Sequence, residues 1–469
     1  MRYAHSVAQV RAAEAPLLVA GVPLMARAAH GLATEVARRL PYVYGARVAL
    51  LVGSGNNGAD TLWAGAALAR RGAQVVAVLA GEAVPDALAG LLAAGGRVGA
   101  ADALAGADVV LDGLVGIGGR GPLRPAAAKL VAAVPAGADV VAVDVPSGVD
   151  ADTGAVTGTA VRADLTVTFG SLTPGLLLAR EHVGELRLVE LGLSLPFASV
   201  EALEAGDVAD LLPRPGRSSD KYARGVLGVV AGSQVYPGAA VLCVGAAVRA
   251  GAGMVRFAGT PHAAEQVRAR WPEVVVTESS PLDAGRVQAW VVGPGLGPDA
   301  ADRVEAVLSA DVPVLVDADA LTVCAEHPEW LRRRRFPTML TPHDREFERF
   351  GAPVGADRVG AARRLAGELG VHVLLKGDAT VVVGPAGVAR VNPTGTAALA
   401  TAGSGDVLAG GVGALLAQGL DPLDAGSVGA WLHGRAGALS AAGATTSAGL
   451  VLERWPAAVY EVLAGRLGR

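Results

Sequence analysis

Short apolar runs recur along the chain, and most of them stop at glycine or a small polar residue. Residues 47–52 read RVALLV and end at Gly53; residues 74–79 read QVVAVL. Runs of this length without polar alternation predict strands buried on both faces, as in parallel sheets. Residues 10–40 instead carry helical periodicity, with Leu17, Leu18, Leu24 and Met25 among the apolar positions, and a second helix is expected from Thr61 to about Arg71. Further strands over 107–111, 139–143 and 165–169 run into Asp112, Asp144 and Gly170. A second series begins at 226–230 and continues with a helix to about Ala250. Later strands end in Gly293-Pro294-Gly295-Leu296-Gly297, in Asp317–Leu321 and in Thr341-Pro342-His343. The strand 371–375 leads into Lys376–Thr380, and another covers 380–383. Gly403-Ser404-Gly405-Asp406 then precedes an apolar helix at 407–416, and two amphipathic helices close the pattern.

The fold class is therefore α/β, written twice. Between the two series the pattern loosens, and the proline- and serine-containing stretch 212–219 reads as a linker. The boundary is expected near residue 205, giving domains 1–205 and 206–469, in keeping with a chain of 469 residues. Composition narrows the partners. A net charge of −4 and a pI near 6.1 argue against nucleic acid. Cys243 and Cys324 sit in apolar surroundings without metal-type spacing, so a reducing compartment and no disulfide framework are expected. The first residues show no signal-peptide core. The uncharged span 225–248 could cross a bilayer by length. Its glycines, Ser233, Gln234, Tyr236 and Pro237 suit a buried strand, loop and helix better. The expectation is a soluble cytoplasmic protein acting on small molecules, with no membrane partner; its apolar composition fits a homo-oligomer.

The polar residues at strand ends carry the candidate chemistry. Residues 53–60 form a G-x-G-x-x-G turn with Glu82 further on, which taken literally is a dinucleotide-binding fingerprint. Asn56, Asn57 and Asp60, however, place amides and a carboxylate where such a turn offers backbone. Those groups can hydrogen-bond a ligand or hold a hard cation. Asp112 with Gly116–Pro122, and Asp144 with Ser147, are offered at neighbouring strand ends, where ligands bind in open parallel sheets. Any one of these aspartates could equally be a turn former or helix cap. In the second series, Gly403–Asp406 precedes a helix, whose N-terminus attracts phosphate. A carboxylate there would repel phosphate, so Asp406 makes sense as a base facing a hydroxyl. An ordinary N-cap is the competing reading. His343 and Lys376 alone would be surface groups; their places after strand ends raise them to candidates.

Taken in order, these motifs resemble the bifunctional NAD(P)H-hydrate repair enzymes across nearly the whole chain. The first half resembles the epimerase through Gly55–Asp60, Asp112 with Gly116–Pro122, and Asp144–Gly148. The second resembles the ADP-dependent dehydratase through Gly232–Ala240, Gly251–Gly253, Gly293–Gly297, Asp317–Leu321, Thr341–His343, Lys376-Gly377, Asn392 with Thr394-Gly395, and Gly403–Asp406. The resemblance implies a Rossmann-like doubly wound sheet followed by a ribokinase-like α/β domain. The implied function is repair of hydrated NADH and NADPH: interconversion of the C6 epimers, then dehydration of the S epimer with ADP as co-substrate. It further implies that Asn56, Asn57, Gly58, Ala59 and Asp60, together with Gly116, Ile117, Gly118, Gly119, Arg120, Gly121 and Pro122, hold the hydrate. Asn57, Asp112 and Ser147 would bind K+, and Asp144 would transfer the proton. In the second domain Ala239, Gly295, Gly297, His343 and Asp406 would face the hydrate. Lys376, Gly377, Asp378, Ala379, Thr380 and Gly405 would hold ADP, with Mg2+ expected alongside it.

Two departures stand out. Ala59 and Thr61 occupy positions where the epimerase loop usually has glycine, which would narrow the hydrate site. Asp344-Arg345 replaces the usual Pro-Gly after Thr-Pro-His. Two rival readings share these folds. A thiamin-precursor or pyridoxal kinase would also use the Gly-Ser-Gly-Asp turn, but with ATP and a stable phosphorylated product. A non-catalytic binding module would account for the first domain alone. A plain NAD-dependent dehydrogenase finds no support in the second domain.

Overall fold

The computed structural model describes residues 1–467. It divides into two compact units, Tyr3–Val200 and the residues from Glu201 onward together with Met1–Arg2. The division falls ahead of residue 205 because Glu201 already pairs with Arg390 in the second unit's sheet. In addition, the Met1 amino group is ion-paired with Asp207 at 2.7 Å.

The first unit is built on seven parallel strands: β1 (Arg47–Val52), β2 (Gln74–Leu79), β3 (Arg97–Gly99), β4 (Val109–Gly113), β5 (Val140–Val143), β6 (Leu165–Phe169) and β7 (Glu185–Val189). Their order is β3-β2-β1-β4-β5-β6-β7. Period-two alternation sends Val48, Leu50 and Val52 into one core layer and Ala49 and Leu51 into the other. That double burial is why β1 reads as an unbroken apolar run. Helices α1 (Val7–Val19) and α2 (Asn56–Arg70) flank the carboxyl end of β1 or pack beside it. Winding reverses between β1 and β4, which opens a crevice at their carboxyl ends.

The second unit repeats the scheme. Its strands are β8 (Val226–Val230), β9 (Met254–Ala258), β10 (Val275–Thr277), β11 (Ala289–Val292), β12 (Val314–Val316), β13 (Thr338–Leu340), β14 (His372–Leu375), β15 (Val381–Val383) and β16 (Ala389–Val391). They run β16-β15-β14-β13-β12-β11-β8-β9-β10, with only the pairings made by β15 antiparallel among these. Reversal here falls between β8 and β11. The span 225–248 resolves into β8, a loop and α3 (Pro237–Arg249). No single helix among the described residues is long and apolar enough to cross a membrane. Further on come α4 (Asp344–Glu348), α5 (Arg358–Leu369), α6 (Ser404–Ala417) and α7 (Pro422–Ala441). From Val407 onward α6 is buried all round, and Gly410 lets it touch the Cys243 carbonyl of α3 directly. Helix α7, expected to be amphipathic, is buried on most of its surface because the following helix (Ala448–Leu467) and α6 pack against it, with the sheet beneath.

Candidate functional site

The crevice beside β1 and β4 is a cleft of about 920 Å³. Helix α2 starts at Asn56, five residues before the expected Thr61. The Asn-Asn-Gly loop is thus the helix's first turn, and its 100° steps aim Asn56, Asn57 and Asp60 at the cleft. Gly58 and Ala59 point elsewhere. Gly58 sits against the Gly53 carbonyl too closely for any Cβ, and Ala59 is fully buried in the core. Thr61 is buried too, donating its hydroxyl to the Asn57 carbonyl at 2.7 Å. Neither methyl narrows the cleft, which corrects the expectation drawn from those two substitutions. Gly116–Pro122 line it throughout, with Arg11 and Glu14 of α1 opposite.

Three of the carboxylates that face or underlie this cleft, Asp60, Asp112 and Asp144, are largely buried. Asp112 is fully buried and accepts from Ser147 N at 2.8 Å, Ser147 Oγ at 2.7 Å and Leu114 N at 3.3 Å. Asp144 has φ 71, a left-handed backbone rare for a side-chain-bearing residue. It accepts from Ile117 N at 3.0 Å and from Thr168 Oγ1 at 3.3 Å. Burial raises both to about 6 against these hydrogen bonds. Asp60 goes higher, to about 8, through burial and then the charges of Asp144 and Glu14. Its Oδ1 is buried without a partner, as is Asn57 Nδ2. Ser147 Oγ, which donates to Asp112, and the Asn57 Oδ1 near Gly116 are oxygen donors of the kind a hard cation takes.

In the second unit, the loops after β8 and β11 meet at the reversal point: Gly232 N donates to Pro294 O at 2.7 Å. Gly295, at φ 64, lies against Ala239, and Gly297 N donates to Asp319 at 2.8 Å. A Cβ at Gly293 would overlap the Asp317 carbonyl. At the next strand ends sits a charged cluster. Buried Asp317 accepts from Lys376 Nζ at 2.8 Å and from Thr341 Oγ1 at 2.7 Å. Lys376 Nζ also lies 3.4 Å from Glu346, whose carboxylate accepts from His343 N at 2.8 Å while its own N–H donates to His343 Nδ1. His343, half exposed, is therefore both the N-cap of α4 and a rim residue.

Gly403 (φ 84) turns the chain into α6, and Asp406 lies in the helix's first turn. Burial first, then the charge of Asp317, raises Asp406 to about 7 against the pull of Lys376. Gly405 stands beside the Lys376 amine; a Cβ there would be 3.6 Å from Nζ. Along Lys376–Thr380 the tip Gly377-Asp378 is exposed, whereas Ala379 and Thr380 are buried.

The family models divide along the same line. The YjeF-related protein N-terminus family matches residues 22–175, and the NAD(P)H-hydrate dehydratase family matches residues 227–453. The bifunctional NAD(P)H-hydrate repair enzyme Nnr of Mycobacterium leprae is 53% identical over 458 residues, covering 94% of this chain and 95% of its own. Its Mycobacterium tuberculosis counterpart is 55% identical over 409 residues, 84% of each chain. This chain belongs to the bifunctional NAD(P)H-hydrate repair enzyme family. Among solved structures, the ADP/ATP-dependent NAD(P)H-hydrate dehydratase from Bacillus subtilis, co-crystallized with ATP/Mg2+, matches 56% of this chain and 99% of its own, at 29% identity and TM-score 0.50. A ribokinase-like superfamily protein from Enterococcus faecalis shares the fold of the same unit, at 24% identity and TM-score 0.53, over 57% of this chain and 98% of its own.

Several residues that shape the two sites of this repair enzyme escaped the sequence reading. Glu346 is one; its position three residues after His343 is a capping-box signal that could have found it. Arg11 and Glu14, which line the first cleft, and buried Thr168, which donates to Asp144, carry no local signal, because only the fold brings them there.

Proposed function

We propose that the two units act in turn on hydrated NADH and NADPH, the first equilibrating the C6 epimers and the second dehydrating the S epimer with ADP. In the first unit, Asn56, Asn57, Asp60 and the Gly116–Pro122 loop hold the hydrate, with Gly58 and Ala59 supporting the turn from beneath. Asp144 transfers the proton at the nicotinamide end. Potassium would be held by Asn57, Asp112 and Ser147, supplying a fixed positive charge under the cleft.

In the second unit the reading is carried by Asp406, a half-buried carboxylate in the first turn of α6. Ala239, Gly295, Gly297 and His343 face the hydrate with it, and Lys376–Thr380 with Gly405 hold ADP. Asp406 takes the proton of the C6 hydroxyl as that oxygen bonds to the β-phosphorus and AMP leaves. The α6 N-terminus stabilises the charge on the transferred phosphoryl group. The ring nitrogen then expels phosphate from C6, and loss of a proton from C5 restores the dihydropyridine. Products are AMP, phosphate and NAD(P)H. Mg2+ would enter on the nucleotide's phosphate oxygens. Cytoplasmic residence, a homo-oligomer and the absence of nucleic-acid partners complete the proposal; the two buried free thiols support a reducing compartment.

The test is recovery of dihydronicotinamide absorbance from a mixture of both epimers, with ADP, ATP or neither. ADP-dependent recovery beyond the S fraction, above spontaneous epimerisation, is expected. Recovery that stops at the S fraction removes the epimerase. A stable phosphorylated product made from ATP, with no restored absorbance, would establish the kinase instead.

A further inference from the structure

We infer that Asp344 and Arg358 form a positioning pair that sets the shape of the Lys376-Gly377 peptide for the nucleotide. The inference rests on the reading that Lys376–Thr380 takes ADP. Arg358 is the first residue of α5, a helix capped by Asp357, which accepts from Gly360 N at 2.8 Å. From there its guanidinium reaches two ways. Nη1 donates to both carboxylate oxygens of Asp344, at 2.9 and 3.0 Å, and Nη2 donates to the Lys376 carbonyl at 2.8 Å. The same group lies over Gly377, where a Cβ would stand 2.7 Å from Nη2.

The rest of the loop is tied down from other sides. Lys376 N donates to the Pro342 carbonyl at 2.8 Å, Lys376 Nζ is drawn to Asp317, and Thr380 Oγ1 donates to the Gly377 carbonyl at 3.1 Å. Arg358 supplies the hold on the Lys376 carbonyl, at the peptide where the chain turns out to its exposed tip. An arginine side chain has several rotatable bonds, and fixing it costs entropy. Asp344 supplies the second anchor that fixes it. A lysine, with a point charge in place of a planar fork, could not span the two acceptors in this geometry. A loop held in shape before binding spares ADP the cost of ordering it, so the pair acts on nucleotide affinity and not on proton transfer at Asp406. Asp344, the departure from Pro-Gly, thereby gains a use.

Steady-state dehydration by the full chain, with Asp344→Ala, Arg358→Ala, Arg358→Lys and the double alanine variant, tests this. Each single alanine change should raise the KM for ADP about tenfold, the scale of a lost charged hydrogen bond. Turnover should stay within about threefold and the KM for hydrate should not move. Arg358→Lys should behave like Arg358→Ala, and the double variant should be no worse than either single one. An ADP KM within about twofold of wild type in Asp344→Ala overturns the pair. That variant decides the matter even if Arg358→Ala fails to fold, because Asp344 is more than half exposed. Calorimetric titration with ADP separates the two possible failures. Wild-type binding without turnover would remove the dehydratase reading. Wild-type turnover with unchanged ADP affinity in Asp344→Ala would remove the pair alone.

Discussion

Both units place their chemistry where the winding of a parallel sheet reverses, yet they treat buried carboxylates in opposite ways. In the first, Asp60, Asp112 and Asp144 make no ion pair among the described residues, and burial lifts all three. In the second, Lys376 sits between Asp317 and Glu346 and neutralises much of the charge internally. Burial depresses that amine, but the two carboxylates outweigh it and hold its pKa above the ordinary value. The difference shows what each site lacks. Buried carboxylates with no cationic partner are suited to receive a cation, or to keep protons at neutral pH. A site that already contains a cation leaves one carboxylate, Asp406, able to act as a base.

The sharpest way to break the comparison is Asp406→Asn. Dehydration should fall by about 10²–10⁴-fold, as when a general base is lost, with ADP affinity and epimerisation retained. Restored absorbance and epimer ratio, followed separately, check it. Next is Lys376→Met, which leaves Asp317 and Glu346 as uncompensated buried charges. It should destabilise the second unit by about 3 kcal/mol, measured by denaturant unfolding. The corresponding removal of Arg11 from the first cleft should cost far less. Third, dehydratase kcat/KM should rise about tenfold per pH unit up to about 7 and then level off, because the base must be ionised. A profile flat from pH 5 to 8 would deny Asp406 that role.

The smallest effect concerns stability. Asp60 is raised in the folded state, so protonation favours folding, and its contribution is lost as pH rises from about 4 through about 8. Asp60→Asn should therefore raise the melting temperature of the first unit by a few degrees at pH 8, and by less at pH 5. Calorimetry at the two pH values reads the difference.

The strands and their terminal motifs were legible because a β-strand buried on both faces leaves a compact apolar run, and each run here stops at residues with few other uses. What the sequence concealed was direction and partnership. The Asn56–Asp60 segment looked like loop because Gly and Asn disfavour helix. Tertiary contact of Gly58 with Gly53 overrides that preference and turns Ala59 into the core. The Asp317–Lys376 pair spans 59 positions, and Arg358 reaches Asp344 and Lys376 from a third element. Such meetings are set by strand order, which local patterns do not encode.

The left-handed backbone at Asp144 carries a consequence of its own. Glycine would occupy that conformation without strain, whereas aspartate bears about 1–2 kcal/mol for it. Robustness and chemistry thus point to different residues at one position. Lineages selected only for a sturdier fold would drift to glycine there and lose the carboxylate, while those that need it must keep a slightly weaker protein. Persistence of aspartate at this position across descendants would record that the reaction was still in demand.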